Sequence, residues 1–365
     1  MKILHVIDSM AMGGAQSLLV ELTPAQKAAG NEVEILEITE APDRTLADKL
    51  ASNGVRVFSL PKKRHLRNPL NIFAVARIVR NYDIAHVHLF PANYWAALAK
   101  FVSRCKTPII TTEHSTKNKR RGKKVLELMD RFVYQRYSEV VACGDKAMDT
   151  FRAAFPGIEC VSIPNGVNIK KYRDAVPYSK QELLGIDDDS FVTVMVSRFI
   201  PSKRQDTLVK ALASLPGRYH TALVGGTADD DGLQKIKSLA RSLGVDSRVH
   251  FLYLRPDVPR ILKTCDAIAL SSEYEGLSLS SIEGMASGRP FIASDVDGLR
   301  EIVSGAGVLV GCADEHAMAE AIKRLDEDAE YRASVVDACI SRADEYDIAA
   351  VAEKYQNEYI KTVRS

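Results

Sequence analysis

Short runs of β-branched and other apolar residues alternate along this chain with longer stretches in which apolar positions recur every three or four residues. A run of the first kind, bounded by turn residues, reads as a strand covered on both faces; the second reads as an amphipathic helix. Their alternation predicts parallel sheets built from βαβ units. In a first series, strands near 2–8, 32–38, 55–60, 83–89, 108–112, 139–143 and 160–163 are separated by helices such as 16–29, which stops at Gly30 and should kink at Pro24. In a second, strands near 191–197, 219–224, 248–252, 266–271, 290–294 and 307–310 lead to closing helices at 314–327, 330–344 and 347–363. Between the series, Pro164-Asn165-Gly166-Val167-Asn168 opens a polar stretch to Asp189 that reads as an interdomain linker.

At 365 residues the chain is long for one core. The expectation is an α/β protein of two doubly wound, Rossmann-like domains facing across a cleft, divided as 1–168 and 169–346. No apolar run approaches membrane-spanning length, and the first apolar stretch ends at Asp8, too early for a signal peptide, so a cytoplasmic location is expected. Six scattered cysteines without a Cys-x-x-Cys pair predict small core residues in a reducing compartment. A net charge of +2 gives no global argument for nucleic acid. The charge is uneven, however: six of the eight residues Lys117–Lys124 are basic, and Lys62, Lys63, Arg64 and Arg67 form a second cluster. An anionic membrane surface, a lipid diphosphate and plain solvent all remain open as what faces them.

The chemistry concentrates at strand ends. Glu275-Gly-Leu-Ser-Leu-Ser-Ser-Ile-Glu283 is an acid-flanked glycine loop opening into a helix, whose amides at Gly276, Leu277 and Ser278 would face an anion while the carboxylates take hydroxyl groups. A nucleotide-diphosphate sugar fits that description. Arg198 and Lys203, five positions apart after a strand, could clamp the diphosphate, Arg bidentately and Lys as a point charge. Gly13-Gly14 lies at a strand-to-helix turn, which is either a close approach to a ligand or only a tight turn. His114 follows a strand and could reach a sugar hydroxyl, whereas His86 and His88, alternating around Val87, are expected to face different ways. The glutamate pair also admits a glycosidase-like acid and nucleophile. Asp187-Asp188-Asp189 and Asp229-Asp230-Asp231 contain a metal-binding pattern but read more simply as turns and helix caps, so no metal or other cofactor is expected to be required.

Taken together, Gly13-Gly14, His114, Pro164-Asn165-Gly166-Val167, Arg198 with Lys203, Glu275 with Glu283, and Gly307-Val-Leu-Val310 resemble the retaining glycosyltransferases of family 4, with GT-B architecture. The resemblance implies that Arg198 and Lys203 hold the donor diphosphate, that Glu283 takes the ribose hydroxyls, and that Glu275 with the Gly276–Leu279 amides grips sugar and phosphates. Asn165 joins the donor site, His114 contacts the sugar, and Gly13 and Gly14 line the diphosphate and acceptor side. It further implies that the last helix crosses back to the first domain. Ser197 and Arg204 stand where the family often has glycine, so the local backbone is expected to differ, and Lys146 matches the family pattern only loosely. The expected activity moves a hexose or N-acetylhexosamine from a UDP-sugar, or alternatively a GDP-sugar, to a glycan or lipid-linked acceptor, as in surface polysaccharide or glycolipid synthesis. A non-catalytic binding protein, a nucleotide-sugar epimerase and a nicotinamide-dependent oxidoreductase are the alternatives, the last lacking its three-glycine fingerprint.

Overall fold

The computed structural model describes all residues except 12, 62–65, 67, 115–123, 276, 277 and 365, and of Lys124 the backbone only. The chain divides into two units: Met1–Gly166 with Ile348–Ser365, and Val167–Asp347.

Unit 1 holds β1 (Lys2–Ile7), β2 (Glu32–Glu37), β3 (Arg56–Ser59), β4 (Ile84–His88), β5 (Ile109–Glu113), β6 (Glu139–Ala142) and β7 (Val161–Ser162), all parallel in the order β3-β2-β1-β4-β5-β6-β7. Its helices are α1 (Gly14–Ala28), α2 (Thr45–Ser52), α3 (Asn71–Val79), α4 (Ala92–Ser103), α5 (Lys124–Tyr134) and α6 (Asp145–Ala154). The period of two in β1 explains how both faces are covered. Leu4 and Val6 enter a core with Val75, Val79, Ala96 and Phe151, whereas Ile3 meets Leu18 and Leu22 of α1. The α1 helix runs through Pro24 as one element.

Unit 2 begins with α7 (Ile169–Arg173) and α8 (Lys180–Leu184), where a linker was expected. Ile169 and Tyr172 are buried in this unit's core, and α8 is closed by a reciprocal capping box between Ser179 and Glu182. Polar composition there reflects capping chemistry: Asn168 caps α7, and Asp188 Oδ1 accepts from the Lys180 amide at 3.0 Å. Beyond lie β8 (Phe191–Val196), α9 (Gln205–Ala213), β9 (Tyr219–Val224), α10 (Asp231–Ser242), β10 (Val249–Tyr253), α11 (Val258–Thr264), β11 (Ala267–Leu270), α12 (Leu279–Ala286), β12 (Phe291–Ser294), α13 (Asp297–Val303), β13 (Val308–Val310), α14 (Glu315–Glu327) and α15 (Ala329–Asp344). The sheet is parallel, in the order β10-β9-β8-β11-β12-β13.

The final helix, α16 (Ile348–Arg364), packs in unit 1, with Val351, Ala352, Tyr355 and Tyr359 buried beside α1. Gly166 is required by that return. A Cβ there would lie 2.9 Å from Val351 Cγ2 and 3.0 Å from Ile348 Cα. Five of the six cysteines are buried as expected, but Cys312 is exposed.

In both sheets the strand order reverses beside the first strand, between β1 and β4 and between β8 and β11. Ligands of open parallel sheets sit beyond the strand ends at such reversals.

Candidate functional site

At the reversal in unit 2, the turn after β8 and the loop after β11 are tied together. Ser271 Oγ donates toward the carbonyls of Lys203 and Arg204, at 3.1 and 2.6 Å, and the Glu273 amide donates to Ser202 O at 2.8 Å. Across this seam Lys203 pairs with Glu275, whose Oε1 also accepts from Ser272 Oγ at 2.7 Å. Arg198 is exposed and makes no ion pair among the described residues, while Gln205 holds its carbonyl at 2.8 Å. The backbone at Arg198 is set from the neighbouring strand by Gly225: at φ +127°, with Ser197 O only 2.2 Å from where a Cβ would stand, only glycine fits.

Arg204, where the family often has glycine, adopts φ +50°, ψ +42°, the left-handed conformation that glycine favours. Its guanidinium is held by Asp206 and Glu273, at 2.9 and 3.0 Å. The backbone of a glycine is thus retained, and fixed by ion pairs.

The helix α12 starts at Leu279 with Ser278 as its cap, Oγ accepting from the Ser281 amide at 3.3 Å. Glu283, one turn on, lines a small recess with Ser280, Val196 and Leu270. Gly276 and Leu277 lie outside the described residues. Of the acidic triplets, Asp230 caps α10, accepting from the amides of Gly232 and Leu233 at 2.8 and 3.3 Å.

In unit 1, Gly13 is the extended N-cap of α1, and a Cβ on Gly14 would meet nothing within 4 Å. Asn165 is buried, with Oδ1 unpartnered among the described residues. His86 and His88 do not face different ways: their ring centroids are 4.1 Å apart. Residues i and i+2 of a strand share a face, so the alternation around Val87 puts Val87, not one histidine, on the far side. The register places His5 beside His86 and His88 beside Thr112, and His114 lies two residues further along the same face. The contacts follow: His5 Nδ1 to His88 Nε2 at 3.0 Å, His88 Nδ1 to His114 Nε2 at 3.1 Å, and His5 Nε2 to Gln26 Oε1 at 2.8 Å. His86 bridges Tyr359 OH and Thr112 Oγ1, both at 2.7 Å. Burial lowers His5 and His114 to about 4 and drives His86 and His88 well below the usual imidazole value, where neighbouring imidazoles act in the same sense. All four rings are neutral at pH 7.

His5, Ser272 and Gly225 lie outside the candidate motifs of the sequence. A glycine pair ends β9 as Gly13-Gly14 follows β1, so Gly225 carried a usable signal; Ser272 did not, because its partner is known only once the loop is closed.

Two doubly wound units, each with its strand order reversing beside the first strand, make a GT-B α/β protein. The same fold is found in Anabaena HepE in complex with UDP, at a TM-score of 0.84 and 23% identity, with 99% of this chain and 100% of that chain covered. The family model of glycosyl transferases group 1 matches residues 179–341 and that of Glycosyltransferase Family 4 matches residues 12–171. The chain belongs to these glycosyltransferases and is an enzyme of that class. It is 26% identical over 362 residues to the phosphatidyl-myo-inositol mannosyltransferase of Mycolicibacterium smegmatis, covering 95% of this chain and 90% of that protein. It is 27% identical over 213 residues to a Campylobacter jejuni N,N'-diacetylbacillosaminyl-diphospho-undecaprenol alpha-1,3-N-acetylgalactosaminyltransferase, covering 56% and 55%.

Proposed function

We propose that this enzyme transfers a hexose or N-acetylhexosamine, with retention of configuration, from a nucleotide-diphosphate sugar, UDP-linked in the first instance, to a hydroxyl of a glycan or lipid-linked acceptor. The observation that carries the reading is the seam in unit 2, where Lys203 and Glu275 meet, with the exposed Arg198 earlier in the same turn and the Ser278-capped helix following the loop. Cations and helix amides there match a diphosphate, and carboxylates match sugar and ribose hydroxyls. The acceptor hydroxyl attacks the anomeric carbon on the face the leaving group departs from, and its proton passes to a departing diphosphate oxygen. Negative charge on that oxygen grows as the sugar–phosphate bond breaks, so Arg198, Lys203 and the α12 amides act most strongly in the transition state. Glu283 takes the ribose, and His114 takes a sugar hydroxyl. UDP-bound HepE and the lipid-linked activity of the Campylobacter relative support this choice of donor and acceptor. The chain itself needs no metal for these steps, since its own cations neutralise the phosphates. A thermal-shift panel of UDP-, GDP- and ADP-sugars tests the donor: a UDP-sugar should raise the melting temperature most, and no shift with any of them would count against the reading.

A second reading concerns location. No described helix is long and apolar enough to cross a membrane. On α5, which the basic run directly precedes in sequence, Val125 and Leu128 are 71% and 68% exposed and Met129 and Phe132 lie beside them, an apolar stripe facing outward. We propose that it rests on an anionic leaflet at the cytoplasmic face. Flotation with anionic vesicles should recover the protein, and Leu128→Asp with Lys119→Glu should abolish recovery; equal flotation would remove the proposal.

A further inference from the structure

Under α1 and α16, three imidazoles from β1 and β4 meet in a fully buried polar layer. The nearest nitrogens of His5, His86 and His88 lie within 4.8 Å of one another, the spacing of a three-histidine metal site. Yet all six of their ring nitrogens already face a protein partner: Gln26, Tyr359, Thr112, His114 or each other. No lone pair is left directed at a common centre. The arrangement is a hydrogen-bonded chain with a direction, and that direction has a chemical consequence at its outer end.

The chain starts at Gln26. Its Nε2 donates to Tyr359 OH at 3.0 Å, which leaves Oε1 as the acceptor facing His5 Nε2. A neutral imidazole carries one N–H and one lone pair, so each ring fixes the next. With its proton on Nε2, His5 accepts at Nδ1 from His88 Nε2–H; His88 then accepts at Nδ1 from His114 Nε2–H. His114 is left with its lone pair on Nδ1.

We propose that Gln26, His5 and His88 are positioning residues that lock His114 in the Nε2–H tautomer, so that its Nδ1 is a hydrogen-bond acceptor selective for a hydroxyl group over an anion. This rests on the assignment of His114 to a sugar hydroxyl. A sugar O–H donates to such a nitrogen, whereas a carboxylate or phosphate oxygen meets a lone pair and is rejected. The low-dielectric setting that keeps the rings neutral also makes each link costly to reverse.

The tautomer can be read without substrate. Two-bond proton–nitrogen correlation spectra of 15N-histidine-labelled protein at pH 7 should show His114, assigned by its absence in His114→Asn, with a pyrrole-type Nε2 and a pyridine-type Nδ1. In Gln26→Leu, three links away, the pattern should move toward a tautomeric mixture. Tyr359→Phe, which removes one oxygen and keeps the ring, is the milder variant if Gln26→Leu does not fold, and it should produce the same drift. With a neutral donor sugar the variants should lose about tenfold in kcat/KM, the size of one hydrogen bond, and should discriminate less against a uronic-acid donor. A protonated Nδ1 at His114 in the wild type, or a wild-type pattern in both variants, overturns the inference. The spectra contain no donor, so a failure of the transferase reading would show separately, as absent turnover by wild-type enzyme with an intact tautomer pattern.

Discussion

Lys203→Met removes the cation from the seam between the β8 turn and the β11 loop while keeping most of the apolar stem. The side chains of Lys203 and Glu275 are only 16% and 13% exposed, so the pair is screened far less than a surface ion pair. Deleting one member of a fully buried pair costs about 3–5 kcal/mol; with this residual exposure, and with Ser272 still donating to Glu275, about 2 kcal/mol is expected. For a unit of this size that lowers the melting temperature by about 4–8 °C. Turnover should fall much further, by about 100-fold or more, because the same ammonium is lost from the leaving diphosphate. Adding Glu275→Leu should restore most of the stability, since no uncompensated carboxylate remains, and none of the activity. Calorimetric melts of the wild type, Lys203→Met, Glu275→Leu and the double variant, together with UDP release in the presence of acceptor, read both effects. Independent, additive losses of stability, or a single variant that turns over like wild type, would refute the idea that one lysine serves both loop closure and charge stabilisation.

Gly14→Ala places a methyl in open space at the first residue of α1, so the melting temperature should hold or rise, by up to about 1 kcal/mol in stability, while kcat/KM falls if a ligand approaches there. Unchanged kcat/KM would take Gly14 out of the site. Gly166→Ala should instead destabilise unit 1 by about 1–3 kcal/mol, with faster amide exchange along α16, because Ile348 and Val351 leave no room; unaltered exchange would contradict that packing. Acid should unfold unit 1 steeply. His5 and His114 titrate at about 4 when folded against about 6.5 when unfolded, so the unfolded chain binds the extra protons between those values. Their neutral-state stability is fully present above pH 6.5 and is lost as the pH falls toward 4, at about 1.4 kcal/mol per pH unit for each proton taken up. Urea melts at pH 7 and pH 5 should differ accordingly, and equal midpoints would show that the imidazoles are not held neutral.

The strands were legible because parallel strands covered on both faces are nearly pure apolar runs, as in Phe191–Val196, and because each ends at a turn residue. The face of a residue was legible in principle too, since period-two counting puts His86 with His88; the opposite expectation misapplied the rule rather than meeting its limit. Other features lie beyond local pattern. Tyr355 and Tyr359 are buried by packing against residues of α1 and the sheet, a partner that the helical pattern of 347–363 does not name. The 169–184 stretch looked like a linker because caps and turns use the same polar residues as loops. Arg204 shows a further limit. Its left-handed backbone follows from the tied loops around it, and its residue type alone would argue against that conformation.

Whether the loops of unit 2 grip a nucleoside diphosphate is read by calorimetric titration of UDP into the wild type, Arg198→Ala, Lys203→Met and Glu283→Gln. One site per chain is expected in the wild type, with affinity weakened at least tenfold in each variant, the worth of one charge-assisted contact. No binding of UDP, GDP or ADP to the wild type, or equal affinity in all four proteins, would contradict it.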